Sequence, residues 1–174
     1  MKEDFRDAVF AVLQQLMRAD LSIVVLSNDN HAFILNEIRA EFPERTINVG
    51  VAEQNMMGLA AGLASAGKRV FVYGQSAHLM RGWEQIKVGI CIPNFPVTIL
   101  SLGGPSMYHD GPTHYGDEDI ALMKALTNMT IYELFDWEYA QSCVMAAYHA
   151  RTPHYLRFDK WAGEPVGGGI PFGG

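Results

Sequence analysis

Apolar residues recur along this chain with two alternating periods. The first segment has helical spacing and predicts an amphipathic helix within residues 2–18; its apolar positions are Phe5, Val9, Val12, Leu13, Leu16 and Met17. Short apolar runs rich in β-branched residues predict strands at 22–26, 46–49, 69–73, 97–101, 129–133 and 155–157. Helical patterns separate these runs at 32–41, from 53 to a stop at Gly67, and at 78–92, 117–126 and 137–150.

The alternation of strands and helices predicts a mostly parallel sheet with helices on both faces, because parallel strands need crossover connections. The predicted fold class is therefore a three-layer α/β/α domain. No internal repeat and no boundary precede residue 160, so residues 1–160 are expected to form one domain. Residues 161–174 are rich in glycine and proline, and we expect an extended tail there.

Composition narrows the class of protein. Hydrophobic residues make up 49% of the chain and charged residues 18%, as in a globular protein with a large core. The net charge of −6 argues against a nucleic-acid or membrane-surface partner. Cys91 and Cys143 lie in apolar surroundings and are expected to be buried free thiols. With no signal-peptide or membrane-span pattern, we expect a cytoplasmic protein.

Glu53 stands where a predicted strand gives way to a helix with an unusually small face. That face carries Gly58, Ala61, Gly62 and Ala64, which would let the helix approach another backbone closely. A carboxylate at a helix N-terminus is stabilised as an anion by the free N–H groups. The pattern leaves two interpretations open: a first-turn residue of a tightly packed domain, or a proton partner for a ring nitrogen of a ligand.

A second polar segment, residues 103–116, follows the buried strand pattern at 97–101. It places His109, Asp110 and His114 in a loop punctuated by glycine and proline. Loops at the carboxyl edge of a parallel sheet are where open α/β folds bind ligands. The alternative is a structural loop, because aspartate before glycine favours turns.

Together, these two segments resemble the pyrimidine-binding domain of the transketolase family of thiamine diphosphate enzymes. Glu53 falls where that family keeps the glutamate that contacts the aminopyrimidine ring, and residues 110–114 match its Asp-Gly-Pro-Thr-His loop without a mismatch. Further agreement occurs at residues 67–68, 81–86, 118–126, 128–130 and 155–157. The resemblance covers residues 1–160.

The resemblance implies catalytic roles for three residues. Glu53 would bond the pyrimidine nitrogen N1′ and favour the imino form of the cofactor, while Asp110 and His114 would contact the hydroxyl and carbonyl oxygens of a sugar. Asp29 and His31 lie on a strand-end loop that faces the site in relatives, and we assign them to cofactor and substrate binding respectively. No metal ligand is assigned to this chain.

The segment after the third predicted strand departs from the family. Relatives usually have a phenylalanine there for the pyrimidine ring, whereas residues 75–80 of this chain have none. Tyr73, His78 and Trp83 are the candidate cofactor-binding substitutes, since an aromatic surface suits a planar ring. The alternative is that Tyr73 and Trp83 are core residues.

Two arginines and one histidine complete the candidate substrate site. Arg81 and Arg157 each carry a guanidinium fork that suits a phosphate or carboxylate. Either could equally be an ordinary ion-pair residue. His109 is a weaker match, since relatives vary at that position.

The sequence has no Gly-Asp-Gly segment. In the family, a Gly-Asp-Gly…Asn segment on another domain holds the cofactor's diphosphate through Mg²⁺, and transketolases usually have a third domain as well. The resemblance therefore implies one subunit of a split enzyme that transfers a two-carbon ketol unit. Its partner would be a separate diphosphate-binding subunit in a hetero-oligomer, of which a heterotetramer is one form. The alternatives are a 1-deoxyxylulose-5-phosphate synthase-like subunit, a 2-oxoacid-decarboxylating subunit, or a non-catalytic assembly subunit.

Overall fold

The computed structural model describes residues 4–30 and 32–161, and these form one six-stranded parallel sheet between two layers of helices. The strands are β1 (Ile23–Ser27), β2 (Thr46–Asn48), β3 (Arg69–Gln75), β4 (Val97–Leu102), β5 (Thr130–Leu134) and β6 (His154–Phe158). They lie in the order β2-β1-β3-β4-β6-β5, and every neighbouring pair is parallel. The predicted three-layer α/β/α class is confirmed.

The helices follow the predicted order with shifted ends. They are α1 (Arg6–Ala19), α2 (Phe33–Glu41), α3 (Glu53–Ser65), α4 (Ser76–Leu79), α5 (Trp83–Gln85), α6 (Asp119–Lys124) and α7 (Trp137–Ala150). Helix α7 begins and ends where its pattern predicts, because Asp136 caps its first turn by accepting a hydrogen bond from the Tyr139 amide at 2.8 Å.

The two faces of the sheet bury two separate apolar clusters. On one face, Phe71 and Tyr73 of β3 pack with α1, α2 and α7. On the other, Val70 and Val72 pack with α3, α6 and the segment that follows α5. The alternation follows from strand geometry, because successive side chains point to opposite faces. The side chain of a given β3 residue can therefore contact groups on only one face of the sheet.

The helix predicted over residues 78–92 is interrupted. Helix α4 leads into a 3₁₀ turn, Met80–Gly82, and α5 continues as a π-helical segment, Ile86–Cys91. A Cβ on Gly82 would lie 2.8 Å from the Met57 Cγ and 3.3 Å from the Glu53 carbonyl oxygen. Gly82 thus lets the turn approach α3 more closely than any larger residue would. The spacing of apolar residues along the chain does not reveal such a close approach, so it did not indicate the interruption of this helix.

Three smaller predictions have mixed outcomes. Cys91 and Cys143 are buried and free, and burial raises the pKa of Cys91 to about 11. The proposed tail lies outside the described residues from 162 onward. Within the described ranges, none of the helices combines the length and apolar character needed to cross a membrane.

Candidate active site at the carboxyl edge of the sheet

Glu53 is a buried carboxylate at the start of α3, with only 3% of its side chain exposed. Its Oε1 accepts a hydrogen bond from Asn28 Nδ2 at 2.8 Å. Its Oε2 lies 3.2 Å from Arg81 Nη1, which donates to it. The two oxygens therefore have different partners: a neutral amide on one and a guanidinium on the other.

Asn28 directly follows β1 and is itself almost fully buried. Its Oδ1 accepts a hydrogen bond from Asn30 Nδ2 at 2.7 Å, so both ends of its amide are held. A Cβ on Gly74 of β3 would lie 2.8 Å from that Oδ1. The missing side chain at Gly74 gives Asn28 its place beside Glu53.

Hydrogen bonds affect the pKa of Glu53 more than burial does. Burial alone would raise the pKa of this carboxyl, but hydrogen bonds from Asn28, from its own backbone amide and from Arg81 favour the anion, and the resulting pKa lies below the ordinary value. Glu53 is therefore ionised near neutral pH in this state of the chain.

A surface pocket of about 340 Å³ opens at this carboxylate. Its lining consists of the residues that lead into α3 together with Arg81; they are Val51, Ala52, Glu53, Gln54, Asn55 and Arg81. Val51 is 71% exposed, so an apolar side chain also borders the opening. The pocket combines a buried anion with apolar and backbone surface, as sites for flat heterocycles do.

Two histidines stand next to this group. His78 of α4 packs edge-on against His114, with ring centroids 5.1 Å apart. Burial lowers the pKa of His78, the charges of Arg81 and His114 lower it further, and that of Glu53 opposes them. His78 is therefore the neutral link between the Glu53 pocket and the 103–116 loop.

The predicted substrate loop is exposed at residues 109, 110, 112 and 113. His109 Nε2 lies 3.4 Å from Asp110 Oδ1, with 74% and 40% of the two side chains exposed. His114 Nδ1 and the Thr113 hydroxyl are 3.0 Å apart and share a hydrogen bond. The structure thus brings His114 to His78, while Asp110 and His109 remain paired with each other further along the loop.

Asp29 turns towards the end of β2. Its backbone amide donates to Asn48 Oδ1 at 2.9 Å, and Asn48 Nδ2 donates to Asp29 Oδ1 at 3.1 Å. Its neighbour Asn28, which sequence reasoning missed, is the residue that contacts Glu53. The signal was an asparagine directly after a strand at the binding edge. His31 lies outside the described residues.

Two of the aromatic candidates pack elsewhere. Tyr73 is fully buried on the α1 face of the sheet, where its ring packs edge-on with Phe10 at 4.9 Å. Trp83 donates its Nε1–H to the Leu122 carbonyl at 3.1 Å, and the Lys87 ammonium lies 5.4 Å from its ring. Of the three aromatic candidates, His78 is the one on which the Glu53 charge acts.

Arg157 lies beneath the loop in a closed network. Its side chain is 1% exposed, with Nε 2.9 Å from Asp119 Oδ2 and Nη2 3.8 Å from Asp117 Oδ1. Within the described part of the chain, none of its three nitrogens is aligned for a hydrogen bond, so the contact with Asp119 is an undirected ion pair. The guanidinium has almost no surface that a ligand could touch.

Tyr155 completes this network. Its hydroxyl donates to Asp119 Oδ2 at 2.6 Å and lies 2.6 Å from the Ser101 hydroxyl. Burial raises the pKa of Asp119, although Arg157 and this hydroxyl oppose the rise. The network joins β4, β6 and α6, and therefore fixes both ends of the 103–116 loop. Within residues 4–30 and 32–161, no group of three or more histidine, cysteine or acidic side chains is placed to hold a metal ion.

Comparisons with known proteins agree on one family. The family model described as "Transketolase, pyrimidine binding domain" matches residues 1–164. A putative transketolase C-terminal section from Methanocaldococcus jannaschii is 38% identical over 122 residues, 69% of this chain and 39% of that protein. A 1-deoxy-D-xylulose-5-phosphate synthase from Desulfotalea psychrophila is 38% identical over 125 residues, 72% of this chain and 19% of that protein.

Solved structures extend the comparison to the fold. A chain described as "Split gene transketolase, inactive beta4 tetramer" is 32% identical with a TM-score of 0.82, covering 95% of this chain and 54% of that one. A transketolase from Pichia stipitis has the same TM-score of 0.82 at 19% identity, covering 95% of this chain and 26% of that one, which shows the shared fold alone. The present chain thus spans well under half of the curated relatives and about half of the first solved one.

Proposed function

The chain belongs to the family of transketolase pyrimidine-binding domains, and from this premise we propose that it supplies the pyrimidine half of a thiamine diphosphate site in a transferase. Glu53 would bond the pyrimidine ring through Oε2, the oxygen that now pairs with the pocket residue Arg81. The single observation that carries the proposal is the buried Glu53 carboxylate, which has one oxygen held by Asn28 and the other paired with Arg81, a residue that lines the same pocket as Glu53.

The site residues fit this cofactor in charge and in shape. Bound thiamine diphosphate supplies an electron sink that lets a bond next to a carbonyl carbon break. With the cofactor bound, Glu53 would hold a proton against a ring nitrogen, and Asn28 would keep the direction of the carboxylate through its hydrogen bond to Oε1. His78 offers the nearest ring surface, and His114 can donate a hydrogen bond to a substrate oxygen. Asp110 orients a substrate hydroxyl.

The diphosphate and its Mg²⁺ would be held by a second subunit. The sequence contains no Gly-Asp-Gly segment. Relatives described as a split-gene transketolase and as a transketolase C-terminal section support a division of the enzyme between chains. The description of one such relative as an inactive β4 tetramer fits a subunit that works only in a hetero-oligomer.

Two reactions are supported by different relatives. The split-gene transketolase favours transfer of a two-carbon ketol unit between sugar phosphates. The relatives described as 1-deoxy-D-xylulose-5-phosphate synthases favour condensation that consumes pyruvate. Mixing the chain with a Gly-Asp-Gly…Asn subunit, thiamine diphosphate and Mg²⁺ separates these reactions. Transfer from xylulose 5-phosphate would support the first, and pyruvate consumption the second.

The same mixture tests Glu53. We expect Glu53→Gln to lower turnover by roughly a hundredfold or more, because the proton at the ring nitrogen can no longer be exchanged. Glu44→Gln is the matched control, since Glu44 is exposed in the turn Pro43–Arg45 that precedes β2. Equal turnover of the two variants would overturn the assignment. Failure of the cofactor to bind the assembled complex at all would favour a non-catalytic assembly subunit.

A further inference from the structure

The two oxygens of Glu53 have partners that differ in burial: one partner is buried and held in place, and the other is largely exposed to solvent. Asn28 is 4% exposed, is bonded at both ends of its amide, and sits against the bare backbone of Gly74. Arg81 is 55% exposed and forms part of the pocket wall. A ligand entering this pocket meets Arg81 before it meets the carboxylate.

Arg81 reaches Glu53 because of the turn that carries it. The 3₁₀ turn Met80–Gly82 lies against α3, where a Cβ on Gly82 would be only 3.3 Å from the Glu53 carbonyl oxygen. From that position the guanidinium lies 3.2 Å from Oε2. Among the described residues, Glu53 is the one carboxylate within ion-pair distance of Arg81.

We propose that Arg81 is a displaceable counter-ion, which covers Glu53 Oε2 until the ring nitrogen of the cofactor takes its place, and that Asn28 is the positioning residue that keeps Oε1 in both states. This inference rests on the proposed function, because it assumes that a pyrimidine nitrogen is the incoming group. In the chain without cofactor, the Arg81 guanidinium then occupies the place that the ring nitrogen takes when the cofactor binds.

Displacement changes the proton affinity of the carboxylate. Among the described residues, the charged or titratable side chains that act on Glu53 include Arg81 from the 3₁₀ turn and His78 from α4. When Arg81 leaves, the buried anion keeps its desolvation cost and loses its nearest cation, so its pKa rises. A proton from solvent can then be held between Oε2 and the ring nitrogen. Binding of the cofactor therefore creates the proton partner that the reaction needs.

The first test uses the chain without cofactor. The Glu53 carboxyl is titrated by NMR after ¹³C labelling of glutamate and is assigned with Glu53→Gln. We expect Arg81→Met to raise the pKa of Glu53, and Arg81→Lys to keep it close to that of the parent chain. Asn28→Ala is also expected to raise it, since the second stabilising contact is lost. An unchanged pKa in Arg81→Met would overturn the proposal.

The second test measures cofactor binding to the complex with a Gly-Asp-Gly…Asn subunit. Calorimetry in buffers of different ionisation enthalpy should show net proton uptake for the parent chain, and less for Arg81→Met at a pH where its Glu53 is already partly protonated. Arg81→Met is expected to bind roughly two- to fivefold more tightly, because the ion pair between the exposed Arg81 and the buried Glu53 no longer has to be broken. Tighter binding by Arg81→Lys, or weaker binding by Arg81→Met, would contradict displacement.

A variant of Asn28 distinguishes the positioning role proposed for this residue from the displacement proposed for Arg81. Asn28→Ala is expected to weaken cofactor binding roughly ten- to a hundredfold, as for loss of a hydrogen bond to a charged group. Arg81→Met moves affinity in the opposite direction. If the cofactor fails to bind even the parent complex, the proposed function fails, whereas the NMR titration still decides whether Arg81 controls Glu53. If the cofactor binds normally but the pKa of Glu53 is the same in Arg81→Met as in the parent chain, only the counter-ion role of Arg81 is contradicted.

Discussion

Two arginine–carboxylate pairs lie near the carboxyl edge of this sheet, and they differ mainly in exposure. Arg81 and Glu53 are 3.2 Å apart, with the arginine 55% exposed. Arg157 and Asp119 are 2.9 Å apart, with both side chains at 1% exposure or less. The separations are similar, but solvent and ligands reach only the first pair.

Exposure decides what each pair can do. Arg81 is mostly in water, so water can solvate its guanidinium when it leaves, and the buried Glu53 then keeps its hydrogen bond from Asn28. An arginine without solvent cannot leave, because breaking a buried pair strands a charge. The first pair is thus suited to exchange with a ligand, whereas the second is suited to hold the substrate loop. The following predictions are ordered by the size of the expected effect.

The largest effect is expected from Asp119→Ala, which leaves the Arg157 charge buried without its nearest partner. We expect the free energy of unfolding to fall by about 3–5 kcal/mol, as for other broken buried pairs. Urea denaturation measures this change. Asp110→Ala is the control, because that carboxylate is 40% exposed beside His109. A loss from Asp119→Ala as small as that of the control would mean that the closed pair contributes no more than a surface one.

A smaller loss is expected from Gly103→Ala, which crowds the closed pair without removing a charge. The added Cβ would lie 2.3 Å from the Ser76 hydroxyl and 2.6 Å from Arg157 Nε. We expect a loss of about 1–3 kcal/mol, because a packed network has to shift. The same substitution at Gly58 of α3, where nothing lies within 4 Å, should instead stabilise by about 0.5–1 kcal/mol. Thermal unfolding of both variants gives the comparison, and equal signs would contradict it.

Arg81→Met is expected to lower the free energy of unfolding by about 1–2 kcal/mol, less than Asp119→Ala, because the guanidinium is mostly in water and the buried Glu53 keeps its hydrogen bond from Asn28. Urea denaturation beside Asp119→Ala measures the contrast between the two pairs directly. A loss of about 3 kcal/mol or more would show that the open pair is as structural as the closed one.

The smallest effect is expected in the pH dependence of stability. The contributions of Glu53 and Asp119 should change in opposite directions as the pH falls. Folding lowers the pKa of Glu53 from 4.5, so its stabilising contribution is present above that value and is lost as the pH falls. Folding raises the pKa of Asp119 from 3.8, so the folded state gains stability as the pH falls through that window. Denaturation of Glu53→Gln and Asp119→Asn against the parent chain at pH 3 to 7 should show differences that move in opposite directions.

The sheet and most of the helices could be predicted from the sequence because each has its own period. Helix α7 matches residue for residue, and the predicted strands deviate only at their ends. The break at Gly82 was not predictable, because it results from a close approach to α3 that leaves no periodic signal. Spatial closeness between distant segments is what a single sequence leaves out.

The site was predictable in its chemistry but less so in its geometry. Glu53 and His114 stand out in the sequence by motif, and in the structure His78 packs against His114 and is close enough to Glu53 to be affected by its charge. Tyr73 is aromatic and next to the correct edge, yet strand alternation turns it to the α1 layer. Val70 and Val72 could have indicated this, since they share the other face. Asn28 was missed because its role depends on the space left at Gly74.

That space at Gly74 has an evolutionary consequence. A Cβ there would reach Asn28 Oδ1 at 2.8 Å and Leu79 Cδ2 at 2.7 Å. In homologous sequences, the residues aligned with 28 and 74 should therefore vary together: an amide at the first requires glycine at the second, and an alanine at the second requires a shorter residue at the first. Such linked substitution would let an alignment identify, without any structure, which homologues hold the glutamate aligned with Glu53 in this way.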